Sequence, residues 1–328
     1  MRVKSDAIME RILFITSTRI GDAVINSGVL AHYVDTHPQA RFTIACGHLA
    51  APLFEAVPRL DDIIVMNKQP MGGHWLNLWR RTITRRWDRV IDMRCSGTAW
   101  ALWARHRHIL ARATQPMNKV YEAASVIPLD PAPHPHLYLS EDAQARATAL
   151  FPTGRDVLAV CPSASMPYKT WPGDRFGALL DELTGPDGIM AGAQIAIFGG
   201  PGDKAAARPV HEALPEKQII DLTGELALPD VAACLARARL FIGNDSGLMH
   251  MAAAVNTATL GLFGPSDERK YGPFGEHTAI VRGPTPFSQI DAAYPDRKLH
   301  PDSLLQDLEI DAVLDAATRL YKRTEHTT

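Results

Sequence analysis

Short runs of β-forming residues alternate with helix-like stretches along most of the chain, and this alternation restricts the fold more than any other feature. The first set of runs is RILFIT (11–16), RFTIAC (41–46), DIIVMN (62–67) and RVIDMR (89–94). Strands that alternate with helices are typical of βαβ units, in which neighbouring strands run parallel. The first part of the chain is therefore predicted to form a doubly wound α/β domain.

The alternation starts again after a proline-rich passage, VIPLDPAPHPHLYL (126–139). The second set of runs is DVLAVCPS (156–163), AQIAIFGG (193–200), QIIDLTG (218–224), RLFIGND (239–245) and TATLGLFG (257–264). Since 328 residues exceed what one core usually supports, we predict two doubly wound domains, 1–150 and 151–328. A last predicted helix, 301–323, could pack on either of them.

The cysteines and the N-terminal segment indicate a cytoplasmic protein. Cys46, Cys95, Cys161 and Cys234 are far apart and form no C-x-x-C pair, which disfavours a zinc site or a disulfide framework and fits a reducing compartment. We expect them to be buried thiols. The first residues lack the apolar core of a signal peptide, and no apolar run reaches the ~18 residues of a membrane span.

Open α/β sheets bind ligands beyond the carboxyl ends of their strands, so the loops there are the candidate sites. The first such loop, in STRIGDAVINSGVL (17–30), contains Gly21 and Asp22 where a helix is predicted to begin. Asp22 is either a helix-capping acid or a functional carboxylate. The dinucleotide-binding G-x-G-x-x-G motif is absent there and the P-loop motif is absent throughout, which disfavours a Rossmann dehydrogenase or a P-loop enzyme.

The loop CPSASMPYKTWPGDRF (161–176) offers Ser163, Ser165 and Lys169 after the first strand of the second set. A lysine in a loop is commonly a solvated surface charge. Here the flanking prolines and Trp171 would stiffen the loop and fix the ammonium, as an anion site requires.

The segment GNDSGLMH (243–250) ends a strand and opens a helix with Asp245, Ser246 and Gly247. The free N–H groups and the positive dipole end of a helix N-terminus can bind a phosphate, and small side chains allow it to approach. Asp245 could instead be a helix cap and His250 a core histidine. Taken with Lys169, the segment favours a diphosphate site.

Residues 74–119 are basic and rich in tryptophan, with nine arginines and one lysine against Asp88 and Asp92. The tryptophans are Trp75, Trp79, Trp87, Trp100 and Trp103. Such a surface fits nucleic acid, acidic phospholipid headgroups or a phosphorylated glycolipid, or it consists of solvated helix faces with tryptophan in the core. The acidic pair Asp61–Asp62 is interpreted as a solvated turn rather than a metal site.

Four segments, in order, resemble the motifs of glycosyltransferase family 9, the lipopolysaccharide heptosyltransferases. They are STRIGDAVINSGVL (17–30), PYKTWP (167–172), DLTGELALPDVAACLARARLFIGNDSGLMHMAAA (221–254) and TLGLFGPSDERKYGPFG (259–275). The similarity extends from Arg11 to Val281, and the N-D-S-G-L-M-H run is its most specific part. It implies a GT-B fold: two facing Rossmann-like domains, acceptor bound by the first and nucleotide-sugar by the second, with the active site in the cleft.

The resemblance also implies roles for individual residues. Asp22 would be the general base of an inverting transfer, and Lys169 would join backbone amides in stabilising the departing nucleoside diphosphate. Glu225 matches a position near the donor's ribose. The implied donor-binding set is Ser165, Lys169, Glu225, Asp245, Ser246, Gly247, Leu248 and His250, with no metal and no cofactor.

The basic segment lies in the domain that the resemblance assigns to the acceptor. We therefore expect Arg80, Arg81, Arg85 and Arg86 to contact an anionic glycolipid, the lipid A–core saccharide, at the inner face of the cytoplasmic membrane. No nucleic-acid-binding motif is recognised, so nucleic acid is not expected as a partner. The donor expected from the family is ADP-heptose. Two other functions stay open: a nucleotide-sugar epimerase of the same architecture and a non-catalytic nucleotide-sugar-binding protein.

Overall fold

The computed structural model describes residues 9–111, 113–152 and 154–325. Its internal contacts divide the chain into two compact units, with the division between Tyr138 and Leu139. Each unit contains one parallel β-sheet with helices, as the alternation predicted.

The first unit contains a five-stranded sheet in the order β3-β2-β1-β4-β5. Its strands are β1 (Arg11–Ile15), β2 (Arg41–Cys46), β3 (Leu60–Val65), β4 (Trp87–Asp92) and β5 (Ala104–Ile109). Its helices are α1 (Ile20–Thr36), α2 (Gly73–Thr82) and α3 (Lys119–Ala124).

The central strand β1 is apolar on both faces because both faces of the sheet are covered. Ile12 and Phe14 belong to one hydrophobic cluster. Leu13 and Ile15 belong to another cluster on the opposite face. The continuous apolar run in the sequence is therefore explained by burial on both sides.

The second unit contains a six-stranded sheet in the order β11-β10-β9-β6-β7-β8. Its strands are β6 (Val157–Cys161), β7 (Gln194–Ile197), β8 (Ile219–Asp221), β9 (Leu240–Asn244), β10 (Thr259–Phe263) and β11 (Thr278–Arg282). Its helices are α4 (Glu141–Leu150), α5 (Gly173–Thr184), α6 (Lys204–Ala213), α7 (Leu228–Leu235), α8 (Gly247–Ala254), α9 (Glu268–Tyr271), α10 (Phe287–Ala293) and α11 (Ile310–Glu325).

The division between the units lies twelve residues before the predicted boundary at residue 150. The proline-rich passage packs on α1 of the first unit, where a Cβ at Gly28 would lie 2.5 Å from the carbonyl oxygen of Pro133. Helix α4 instead packs on α7, with Arg146 and Asp230 joined at 2.7 Å. The residues up to 150 that follow the passage therefore belong to the second unit.

The predicted helix 301–323 is wrong at its start, because the helix begins at Ile310. The preceding segment is held in another conformation by two leucines, Leu305 and Leu308, which are 1% and 0% exposed. Helix α11 itself packs within the second unit, against α5, β10 and β11.

Strands β5 and β11 were not predicted from the sequence. Both are edge strands. The reason is local, because β5 has the basic sequence ARHRHI and β11 (TAIVR) has only three apolar residues in a row, whereas the other two edge strands, β3 and β8, were predicted.

Candidate active site

The loops at the carboxyl ends of the second sheet contain three buried hydroxyl groups, Thr223 Oγ1 after β8, Ser246 Oγ after β9 and Ser266 Oγ after β10. Thr223 interacts with Asp221 and Ser246 with Cys161, whereas Ser266 Oγ has no hydrogen-bond partner among the described residues. A buried polar group that lacks a partner costs free energy, so such groups are uncommon unless a ligand or water completes them. This edge of the sheet therefore has the properties of a binding site.

Lys169 and Asp245 form a salt bridge at this edge, with 2.7 Å between Nζ and Oδ2. Lys169 ends the short 3₁₀-helix Pro167–Lys169 in the loop after β6, and Asp245 directly follows β9. Since β6 and β9 are neighbours in the sheet, their carboxyl ends bring the two side chains together. The side chains are 23% and 9% exposed, so the ammonium is held in place but still accessible.

The loop that carries Lys169 is fixed by contacts on both sides. Trp171 is completely buried, and its indole N–H donates to the carbonyl oxygen of Leu308 at 2.9 Å. The backbone N–H of Leu304 donates to the carbonyl oxygen of Tyr168, also at 2.9 Å. The segment before α11 thus fixes the conformation of the Lys169 loop, as the prolines and Trp171 of that loop indicated.

Asn244 also fixes this loop, and sequence reasoning assigned it no role. Its side-chain oxygen accepts a hydrogen bond from the backbone N–H of Trp171 at 2.9 Å. Its side-chain nitrogen donates to the carbonyl oxygens of Pro162 and Ser163, at 3.0 and 3.3 Å. A buried side chain at the end of β9 therefore holds both ends of the segment that presents Lys169. Its position immediately before Asp245 was the only feature of the sequence that could have indicated this role. Its hydrogen-bond partners are remote in sequence.

The helix after Asp245 begins without a side-chain cap. Ser246 is the N-cap residue and its side chain makes no capping hydrogen bond. Asp245 is not the cap, because Ser246 occupies that position and the Asp245 carboxylate pairs with Lys169. The first N–H groups of a helix have no intrahelical partner, so those of Gly247 and Leu248 are available to an anion. His250 is buried further along α8, with 7% of its surface exposed.

The remaining predicted donor residues, Ser165 and Glu225, form no hydrogen bond or salt bridge with the Lys169–Asp245 pair in the described structure. Glu225 forms an exposed salt bridge with Lys204 at 2.9 Å. Ser165 is exposed. Ser163, quoted in the same motif, donates to Asp203 Oδ2 at 2.8 Å and so connects the loops after β6 and β7.

Asp22 lines a cavity of about 770 Å³ in the first unit. It occupies the third position of α1, whose N-cap is Arg19. Asp22 is therefore not the N-cap acid that one interpretation of the sequence proposed. Its carboxylate makes no hydrogen bond or salt bridge with any described residue, which leaves it available to a ligand.

The cavity beside Asp22 is mainly cationic. Four basic residues contribute to its lining: Arg19, Lys68, His74 and Arg94. The other acidic residue of the lining, Glu122, is paired with Lys119. An anionic molecule would therefore be attracted to this cavity.

The turn after β4 brings two residues to the cavity. Asp92 is completely buried and accepts hydrogen bonds from the backbone N–H groups of Arg94 and Ser96, at 2.8 and 2.7 Å. Burial raises the pKa of Asp92, and these hydrogen bonds partly offset the rise. The turn places Arg94 and Cys95 in the cavity lining.

The model of glycosyltransferase family 9 (heptosyltransferase) matches residues 97–296, more than half of the chain. The chain belongs to glycosyltransferase family 9. It is therefore a glycosyltransferase, and the resemblance noted in its motifs is confirmed.

Two curated relatives of this glycosyltransferase illustrate the range of similarity. Lipopolysaccharide heptosyltransferase 2 of Salmonella typhimurium is 24% identical over 325 residues, which cover 85% of this chain and 90% of that protein. Lipooligosaccharide heptosyltransferase 2 of Haemophilus influenzae is 32% identical over 132 residues, which cover 39% of this chain and 37% of that protein.

The solved structures confirm the fold of this family 9 member. The structure of Escherichia coli ADP-heptose lps heptosyltransferase II matches with a TM-score of 0.75 and 22% identity, covering 96% of this chain and 99% of that one. The predicted fold class, two Rossmann-like parallel-sheet domains of the GT-B type, is therefore confirmed.

The four arginines predicted to contact an acceptor or membrane are not part of the cavity lining. Arg81 pairs with Asp62 at 2.9 Å and Arg85 pairs with Asp61 at 3.2 Å. The acidic pair lies in β3, so its interpretation as a turn is wrong, although both carboxylates are exposed to solvent as expected. Arg80 is exposed, and the guanidinium of Arg86 lies over the ring of Trp103.

Three of the four cysteines of this glycosyltransferase are buried, as expected, and one is not. Burial raises the pKa of Cys46 and of Cys234 to about 12 and that of Cys161 to about 11. Cys95 is exposed, so the expectation of a buried thiol is wrong there.

In residues 9–111, 113–152 and 154–325, no group of three His, Cys, Asp or Glu side chains is arranged to hold a metal ion. Over the same described residues, no helix has both the length and the apolar character to cross a bilayer.

Proposed function

We propose that this glycosyltransferase moves heptose from ADP-heptose to a lipopolysaccharide core glycolipid with inversion at the anomeric carbon. The observation that carries the proposal is the Lys169–Asp245 pair beside the uncapped N-terminus of α8. The heptosyltransferase names of the relatives supply the sugar and the class of acceptor.

The donor's diphosphate is proposed to bind the ammonium of Lys169 and the backbone N–H groups at Ser246, Gly247 and Leu248. These groups carry positive charge or the positive end of a helix dipole. They would stabilise the negative charge that grows on the leaving ADP, which is where electrostatic catalysis is most effective. Ser165, Glu225 and His250 remain proposed donor contacts on the ground of the motif resemblance.

Asp22 is proposed as the general base. An acceptor hydroxyl attacks the anomeric carbon, its proton passes to the Asp22 carboxylate, and the bond from the anomeric carbon to the diphosphate oxygen breaks. The electron pair of that bond leaves on ADP. The Asp22 carboxylate has no hydrogen-bond or salt-bridge partner among the described residues, so an acceptor hydroxyl can approach within hydrogen-bond distance of it, which supports this role.

The acceptor is proposed to be anionic because the cavity beside Asp22 carries Arg19, Lys68, His74 and Arg94. Phosphorylated or carboxylated sugars of a lipopolysaccharide core have the required charge. We propose no metal and no other cofactor, since Lys169 and the α8 amides can supply the positive charge that the leaving group needs. Nucleic acid is not a proposed partner.

We further propose a cytoplasmic location with peripheral contact at the inner face of the cytoplasmic membrane. A glycolipid acceptor is anchored in the bilayer, so the enzyme must reach its surface. The exposed free thiol of Cys95 fits a reducing compartment.

Product analysis by mass spectrometry tests the proposal. The protein is mixed with ADP-heptose and a lipid A–core acceptor that lacks the added heptose. Release of ADP together with a gain of one heptose on the acceptor is expected. Conversion of the nucleotide-sugar in the absence of acceptor would instead identify an epimerase.

A thermal-shift screen identifies the donor independently of the acceptor. ADP-heptose should raise the melting temperature more than UDP-, GDP- or dTDP-sugars, because a ligand that binds only the folded state stabilises it by mass action. Stabilisation by ADP-heptose without transfer to any acceptor would favour a non-catalytic binding protein.

A further inference from the structure

Two tryptophans of the first unit are exposed to an unusual degree. Trp100 is 71% exposed and Trp103 is 65% exposed. Trp87, in the same segment, is buried with 1% exposed. Burying an indole ring stabilises a folded protein, and an exposed indole loses that stabilisation. Two exposed indoles on one short segment therefore suggest a binding surface.

The backbone that carries the two indoles is fixed by the core. Trp100 lies in the 3₁₀-helix Gly97–Ala101, and Trp103 follows it after the buried Leu102. The side chain of Arg107 donates to the carbonyl oxygens of Ala99 and Leu102. The two indoles are therefore held on a built surface and do not extend from a free loop.

The surroundings of the indoles are basic. Residues 93–119 contain no aspartate or glutamate. Arg105, two residues after Trp103, is exposed, and the Arg86 guanidinium lies 5.6 Å from the centroid of the Trp103 ring. Helix α2, which carries the exposed Leu76 and Arg80, packs against the same 3₁₀-helix.

Not all of the arginines in this region contribute free positive charge. Arg81 and Arg85 are paired with Asp62 and Asp61. Arg80 and Arg86 form no salt bridge with any described residue. The charge available to a partner is thus on the arginines that accompany the tryptophans.

We propose that Trp100 and Trp103, with Arg80, Arg86 and Arg105, form the surface that binds the headgroup region of an anionic lipid bilayer. This inference rests on the proposed function, because a glycolipid acceptor requires contact with a bilayer. Tryptophan is favoured at membrane interfaces, where its apolar ring and its N–H group both find suitable surroundings. Arginine adds attraction to anionic headgroups.

Single-stranded nucleic acid is a weaker fit to this surface. Such ligands stack bases on open aromatic faces. One face of the Trp103 ring is already covered by Arg86. The membrane is therefore the occupant that the geometry favours.

Flotation with lipid vesicles tests the proposal. The full chain should bind phosphatidylcholine vesicles that contain phosphatidylglycerol and should bind pure phosphatidylcholine vesicles less well. Changing both Trp100→Ser and Trp103→Ser should weaken binding by at least about tenfold, because two indoles leave the interface. A matched control is Leu299→Ser, since Leu299 is 86% exposed in the second unit.

The arginines allow a second comparison. Arg80→Gln with Arg86→Gln should weaken vesicle binding more than Arg81→Gln with Arg85→Gln, because the second pair is already neutralised by aspartates. Equal losses from the two pairs would overturn the assignment of this surface.

Fluorescence quenching by lipid is a second measurement, and its main result comes from the wild-type protein, so it does not depend on the folding of the serine variant. Brominated lipid should quench part of the wild-type tryptophan emission, and Trp100→Phe with Trp103→Phe should remove that quenched part. Absence of quenching, or flotation unaffected by the serine changes, would overturn the proposal. Loss of RNA binding or of self-association in the serine variant, with vesicle binding unchanged, would also overturn it.

Turnover with a deacylated, water-soluble acceptor separates this inference from the proposed function. The tryptophan variants should retain wild-type turnover with that acceptor. If wild type binds vesicles but transfers no sugar to any acceptor, the proposed function fails and the membrane surface stands.

Discussion

Lys169 and Asp245 are 76 residues apart in the chain and form a salt bridge of 2.7 Å. The carboxylate holds the ammonium beside the first N–H groups of α8, where an incoming diphosphate would meet both. The arrangement has a cost for an anionic ligand, because Asp245 is itself negative. Lys169 therefore has two effects, since it attracts the diphosphate and neutralises a carboxylate that would repel it.

The first prediction separates these two effects. Lys169→Ala should weaken ADP binding by about 1.5–3 kcal/mol, the usual contribution of a hydrogen bond to a charged group, and Asp245, having lost its cationic partner, should add repulsion. Adding Asp245→Asn should restore part of the affinity. Isothermal titration calorimetry of Lys169→Ala, Asp245→Asn and the double variant measures the coupling between the two side chains, and unchanged affinity in Lys169→Ala would place the diphosphate elsewhere.

The second prediction concerns Asn244 as a positioning residue. Asn244→Ala leaves the backbone N–H of Trp171 and two carbonyl oxygens without their partners, which typically costs about 1–3 kcal/mol per buried group. We expect a lower melting temperature together with a KM for donor that rises more than kcat falls, because the Lys169 loop is loosened.

A second buried asparagine provides the control for that prediction. Asn26 donates to Thr16 Oγ1 at 3.1 Å in the first unit. Asn26→Ala should also destabilise the protein but leave donor KM unchanged. Equal donor KM values in the two variants would show that Asn244 is merely structural.

Much of the fold was predictable because its central strands are apolar runs separated by helices. Strands β5 and β11 could not be recognised, since ARHRHI is mainly basic and TAIVR has only three apolar residues in a row. Lys169 and Asp245 were individually recognisable because each follows a strand. Their contact depends on the order β9-β6, which no short segment encodes.

Contacts between distant elements explain the other misses. Asp61 and Asp62 resemble a turn in isolation, and only the sheet places them beside Arg85 and Arg81. Asn244 is part of a recognised motif, but its role depends on a backbone N–H 73 residues earlier in the chain.

The third prediction uses Cys95 to test whether the cavity is the acceptor site. Iodoacetamide at about pH 8 should modify Cys95 alone, because thiolates react and burial raises the pKa of Cys46, Cys161 and Cys234. The adduct should occupy the cavity and reduce turnover without changing ADP affinity. Peptide mapping and calorimetry measure these effects. Cys95→Ser should resist the reagent, and full activity of the modified wild type would exclude the cavity as the acceptor's route.

The last prediction concerns Asp22, which lines the cationic cavity and whose carboxylate has no bonded partner within residues 9–111, 113–152 and 154–325. Asp22→Asn keeps the shape of the side chain but cannot accept a proton at neutral pH. Because Arg19 and not Asp22 is the N-cap of α1, the change should alter stability by only about 0.5 kcal/mol, the usual range for substitutions that break no buried contact. Turnover should fall by about 10²–10⁴, the typical contribution of a general base.

The other acidic residue of the cavity provides the matched control for Asp22. Glu122 is already paired with Lys119, so Glu122→Gln should retain most of the turnover. ADP affinity should be unchanged in both variants, because the proposed donor groups belong to the second unit. Steady-state rates at saturating donor, with calorimetry for ADP, make the comparison. If Asp22→Asn and Glu122→Gln reduce turnover equally, the charge of the cavity matters and Asp22 is not the base.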